Sequence, residues 1–181
     1  MRDDPAIERI TTFDHRFAKA QASEVIDLPW GFALLQRDFP LSHFHTRIEV
    51  TAPVPAPVVL AATEEILGGA GLRHRYVAVE GDALGLALRA DLVAAGYEHE
   101  SILTMLHSGA ELEPAAHEVR AISLDAMRPA LIRDWRLELP KVTDEHLRQL
   151  ADRTALYDRA AETTRLAVYD GDEIAARAEL Y

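Results

Sequence analysis

Eight histidines and no cysteine define the reactive side chains of this 181-residue chain. Without cysteine there is no disulfide, no thiolate zinc site and no thiol nucleophile. His43 and His45 stand two residues apart in the run HFHTRIEVT. On a strand that spacing puts both rings on one face, where they could share a metal, as in a metal-binding protein. Glu49 is the only acid nearby on that face, and Arg47 stands between it and the histidines, where its charge repels a cation. Hydrogen-bonded or solvated histidines are the commoner outcome. His74, Arg75 and Tyr76 read as polar residues of a strand edge. Ser101, Ser108 and Ser123 lack the Gly-x-Ser-x-Gly setting of a hydrolase nucleophile. Glu64-Glu65 and Asp144-Glu145 fall on predicted helices as solvated or first-turn charges. Gly68-Gly69-Ala70-Gly71 follows a predicted helix; a phosphate cradle would precede one, so the glycines read as a helix stop. Trp30 and Trp135 have apolar neighbours and read as core or interface anchors. These residues by themselves name no catalytic group, no cofactor-binding residue and no metal ligand.

The elements that must position them are legible as patterns. Asp4 and Pro5 mark a helix start. Ile7, Ile10, Phe13 and Phe17 continue it at helical steps, and the helix is predicted to run until just before Pro29. Residues 31–39 read as a strand stopped by Pro40. Residues 43–51 alternate, with Phe44, Thr46, Ile48 and Val50 facing one way and His43, His45, Arg47 and Glu49 the other, which predicts a half-buried strand. In 52–57 (APVPAP) every second residue is proline and lacks an N–H. Residues 58–67 predict a helix with Val59, Ala62, Thr63 and Ile66 on one side. A strand over 73–80, a helix over 82–95 and a second strand over 100–107 follow, the helix carrying Leu84, Leu88 and Leu92 as one stripe. The acidic, small-residue segment 108–116 reads as a linker. Beyond it come a strand over 118–124, a helix over 125–138 capped by Asp125, and a helix capped by Thr143 with His146, Leu147, Leu150 and Ala151 on one side. A strand over 165–169, a hairpin turn at Asp170-Gly171 and a return strand over 174–181 complete the pattern.

Composition narrows the function classes. Hydrophobic residues make up 49% of the chain, enough for a sizeable core. A formal charge of -11, from 30 acidic against 19 basic residues, repels nucleic-acid backbones and anionic membranes. The charged N-terminus MRDDPAIERI has no apolar signal-peptide core, and no stretch approaches a membrane span. A cytoplasmic protein is the expectation.

The run from Arg73 to His107 carries a resemblance. Strand, helix, Gly96-Tyr97-Glu98 and a strand ending near Met105 resemble the close of a GNAT domain, the superfamily of acetyl-CoA-dependent N-acetyltransferases. A strand, two helices and a hairpin over 118–181 resemble the opening half of such a domain. The resemblance implies an α/β (α+β) fold, a GNAT-like mixed, mostly antiparallel sheet flanked by helices, followed by part of a second such unit. The domains are then a degenerate unit over 1–107, a linker over 108–116 and an opening half over 117–181. It also implies acetyl-CoA as the family's cofactor, a small-molecule or peptide amine as acceptor, and direct attack on the thioester. In that family the cofactor's pyrophosphate rests on the backbone N–H groups of an Arg/Gln-x-x-Gly-x-Gly/Ala loop and on the helix after it. By order of elements that loop falls on Ala52 to Pro57, which holds three prolines and no glycine. The family's frequent general-acid tyrosine falls on Leu92. The second unit stops before its own loop begins. The expectation is therefore an acetyltransferase-related chain that binds no cofactor and is inactive; the alternative is a non-catalytic binding or dimerisation module of the same fold. The strand from Ile174 to Tyr181 lacks the neighbour that should flank it. Unpaired edges recruit other chains, so self-association there, or lack of order, is expected.

Overall fold

The computed structural model describes residues 5–105, 109 and 117–181. Helix α1 (Pro5–Gln21) starts on a proline whose fixed φ suits a first turn. It stops at Gln21, well short of the predicted end before Pro29. Strand β1 (Glu24–Leu28) takes over, a strand that the helical reading of this stretch missed. Val25 and Ile26 are β-branched and favour extended backbone. Antiparallel pairing with β2 (Gly31–Leu35), from Glu24↔Leu35 to Leu28↔Gly31, then outweighs another turn of helix.

Strand β3 (Arg47–Val50) pairs antiparallel with β2, and β4 (Val77–Val79) pairs parallel with β3, giving the order β1-β2-β3-β4. The parallel step requires a crossover. Helix α2 (Ala56–Thr63) supplies it, widening into a π turn over Glu64–Gly68. Helix α3 (Asp82–Ala94) follows β4. Ala33, Ile48 and Val50 are sealed against Val59 and Leu67 of the crossover and against Leu88 and Leu92 of α3. Leu88 and Leu92 of the expected stripe thus face the core, while Leu84 is half-buried outside it. On the opposite face of the sheet, α1 lies over Phe32, with the His15 ring edge-on at 5.2 Å and the Lys19 ammonium 4.3 Å from the ring centre.

A second sheet has the antiparallel order β5-β6-β7, from β5 (Arg120–Ala121), β6 (Thr164–Asp170) and β7 (Glu173–Leu180). Between β5 and β6 run α4 (Leu124–Glu138), α5 (Asp144–Asp152), a 3-10 turn (Arg153–Leu156) and α6 (Tyr157–Ala160). Thr143 caps α5 as expected, accepting from the His146 N–H. Ser123, and not Asp125, caps α4, accepting from the Ala126 N–H. In the hairpin the loop residues are Gly171 and Asp172, one position later than read, and only Gly171 has positive φ. Glycine at the first loop position is what a type II′ turn takes.

The fold is thus mixed α+β, with mostly antiparallel sheets flanked by helices. The described part of the expected strand over 100–107 is not a strand. Ile102, Leu103 and Met105 are 70%, 83% and 89% exposed, so strand-forming residues without a neighbouring edge do not make a strand. The linker 108–116 lies, Gly109 apart, outside the described residues. Among the described residues no helix is long and apolar enough to cross a membrane.

The β2–β3 pairing depends on Gly31. A methyl group there would stand 1.9 Å from the Glu49 carbonyl oxygen, a backbone atom that cannot step aside without parting the strands. Gly31→Ala is expected to destabilise the protein by about 3 kcal/mol, read as a lowered urea midpoint.

Candidate functional site

The bend between β3 and α2 is where the resemblance places a phosphate cradle. Helix α2 begins at Ala56, two residues earlier than predicted, with Pro55 as its N-cap, Pro57 in its first turn and no side-chain cap. Each backbone N–H of the bend can be followed. Those of Thr51 and Ala52 both donate to Trp30 O, at 3.0 and 3.1 Å. Those of Val58 and Val59 turn back to Pro55 O. Pro53, Pro55 and Pro57 have none. Only Val54 and Ala56 keep an N–H uncommitted, where a diphosphate needs several converging ones. Leu92, at the position expected for the acid, is packed in the core.

The histidines are placed otherwise than the alternation suggests. Residues His43–His45 form a 3-10 turn, so β3 starts only at Arg47. The two rings therefore share no strand face. His43 stacks on His74 with centroids 4.0 Å apart, whereas His45 turns inward. Phe44, expected inside with Ile48 and Val50, is exposed and is covered by the Arg47 guanidinium at 4.4 Å. Arg47 in turn binds Glu49 at 2.7 Å. Among the described residues no group of three His, Cys, Asp or Glu could hold a metal ion. His74 Nε2 donates to Thr46 O at 3.0 Å.

Ser42 is the residue that sequence reasoning passed over. Its Oγ lies 2.8 Å from His45 Nδ1, and His45 Nε2 lies 2.8 Å from Gln21 Oε1. Gln21 Nε2 donates to Phe17 O, which leaves Oε1 as the acceptor. His45 Nε2 must then be the donor and Nδ1 the acceptor, and Ser42 donates its hydroxyl proton to Nδ1. Arg153 Nη1 completes the chain by donating to Ser42 Oγ at 2.6 Å. A serine, a histidine and a carbonyl oxygen in line have the order of a hydrolase triad. The setting is wrong for one: Ser42, His45 and Gln21 are 0%, 4% and 2% exposed, so no substrate reaches the hydroxyl. A spacing of Ser42-x-x-His45 carries no signal that could have revealed this, because Gln21 and Arg153 come from far along the chain.

Trp135 and Trp30 keep their structural reading. Trp30 is in the core of the first sheet, and the Trp135 ring lies beneath the Arg153 guanidinium at 5.3 Å. Ser123 is a helix cap, Ser101 is exposed, and Ser108 lies outside the described residues. Glu64 pairs with Arg75, Asp144 with Arg136 and Glu145 with Arg148. Gly68 closes the π turn.

No protein-family model, no curated protein and no solved structure matches the chain.

Burial, and then the Arg153 and Arg47 charges, push His45 down to about 3. An unfolded His45 takes up a proton near its ordinary value, while the folded one refuses it. Its contribution is therefore complete above that ordinary value and is lost as the pH falls toward 3. Between about pH 7 and about pH 5 the folded state is expected to lose roughly 2 kcal/mol through this group. His43 and His74, also held below their ordinary value chiefly by burial, act in the same direction. Urea titrations at the two pH values measure the loss, and His45→Gln is expected to reduce it while lowering stability at neutral pH.

Proposed function

We propose that this chain is a non-catalytic relative of the GNAT acetyltransferases that works as a binding or dimerisation module in the cytoplasm. The β3–α2 bend carries this reading: two free N–H groups and three prolines stand where a thioester cofactor's diphosphate would need a row of amide donors. Support for the relationship comes from the order of elements. Strand, helix and Gly96-Tyr97-Glu98 occur in the first half as β4, α3 and the residues after it. Strand, two main helices and hairpin occur in the second half as β5, α4, α5, β6 and β7. Calorimetric titration with acetyl-CoA is expected to show no micromolar binding. Saturable micromolar binding sinks the inactive-relative reading.

The far edge of β7 favours dimerisation specifically. β7 pairs with β6 on one side and with no described strand on the other. Ala176, Ala178 and Leu180 are exposed along it. Antiparallel pairing of two copies centred on Ala178 sets Arg177 opposite the partner's Glu179 twice over, and continues the apolar row across the junction. Light scattering is expected to report a dimer for the wild type and a monomer for Ala178→Lys, which sets two ammonium groups face to face. A monomeric wild type at high concentration eliminates the dimer.

A further inference from the structure

The arginines drawn into the interior of this protein take carboxylates with them, with one exception. Arg47 and Arg165 are each 7% exposed. Arg47 holds Glu49 at 2.7 Å, and Arg165 holds Glu179 and Asp158 at 3.0 Å each. Arg153 is half-buried, and among the described residues no carboxylate pairs with it. Its neighbours are Ser42 Oγ, which takes one N–H, and the Trp135 ring beneath it. A guanidinium has five N–H donors, so most remain open. None of its nitrogens is both sealed from solvent and without a partner, so the open donors can be reached.

Three imidazoles lie nearby. His43 stacks on His74 at 4.0 Å and lies 6.4 Å from His146. The charges acting on His43 are His74, His146 and Arg153; the one acting on His74 is Arg75; the one acting on Arg153 is the Tyr157 hydroxyl. No carboxylate appears among them. The acids on neighbouring elements are already engaged: Glu64 by Arg75, Asp144 by Arg136, Glu145 by Arg148. In a chain of net charge -11, Arg153 is a positive charge that no described carboxylate compensates. Buried charge without a counter-ion is costly, and a bound anion removes that cost. One element of the first half, the turn with His43, and two of the second, α5 and the turn after it, contribute, so the ligand would bridge the seam between the two halves.

We infer that Arg153, His43 and His146 form a binding site for a doubly charged tetrahedral oxyanion, the sulfate or phosphate group of a small molecule. Arg153 supplies a planar fork of donors and the imidazoles supply N–H groups. The inference does not rest on the acetyltransferase-like reading, because the β3–α2 bend takes no part in it.

Sulfate is the probe, since its charge stays constant across the range where histidine titrates. Backbone amide spectra of the labelled full chain are recorded during sodium sulfate titration, with ionic strength held constant by sodium chloride. Saturable shifts are expected around Ser42 to Thr46 and at His146. Binding is expected to tighten as the pH falls, because protonation of His43, which burial holds below its ordinary value, adds an attractive charge. Arg153→Gln is expected to abolish saturation. Because that variant also cuts the bond to Ser42, the double variant His43→Gln, His146→Gln serves as the second arm; it keeps Arg153 and is expected to bind more weakly with little pH dependence. Phenyl phosphate binding more tightly than sulfate assigns the site to a phosphate ester, equal binding assigns it to the free ion, and both support it. Shifts that do not saturate, that fall elsewhere, or that are unchanged in the double variant overturn the inference.

Discussion

A guanidinium cannot accept a hydrogen bond, and that limitation sets the direction of every bond downstream of Arg153. Its N–H occupies Ser42 Oγ, so the serine proton goes to His45, the imidazole proton to Gln21, and the Gln21 amide to Phe17 O near the end of α1. Reversing any one bond leaves two donors or two acceptors face to face in a region closed to water. The chain of bonds ties a helix, a 3-10 turn ahead of β3 and the segment after α5, with Ser42 and Arg153 separated by 111 positions. Side branches extend it: Gln36 donates to Gln21 O at 2.6 Å and accepts from Ser23 Oγ, which anchors the start of β1.

An apolar counterpart lies beside it. Phe17 packs against Tyr181 at 4.3 Å and Tyr157 at 5.5 Å, and Phe13 stacks on both Phe17 and Tyr181. The aromatic contact supplies area, and the polar chain supplies a unique orientation, since rings alone tolerate small slides that hydrogen bonds do not. The two halves are therefore held together by residues that lie far apart along the chain. Phe13 and Phe17 looked like the core stripe of one helix; they are in fact the meeting place of both ends of the sequence.

What the sequence revealed and what it concealed divide along physical lines. Elements specified by local chemistry were legible: α3 by its leucine stripe, α5 by its Thr143 cap, the β6–β7 hairpin by Gly171, the β3–α2 bend by its prolines. Elements decided by partners were not. β1 reads as helix until β2 is beside it, and residues 100–105 read as strand although no edge receives them. The alternation in 43–51 misled because His45 is polar yet buried beside its long-range partners Gln21 and Tyr157, while Phe44 is apolar yet carried outward and shielded by Arg47. Ser42 was invisible for the same reason: its role comes from Gln21 and Arg153, which no local window includes.

The π turn at Glu64–Gly68 has a consequence of its own. It fits one extra residue into the helix while keeping Leu67 in the core with Val59. In a helix that did not widen, the extra residue would swing everything after it by about 100°. Leu67 would then leave the interior, and Arg75 would lose its hold on Glu64. Loss of one codon here, which closes the widening to a regular helix, should thus be borne better than the same loss in an unwidened helix.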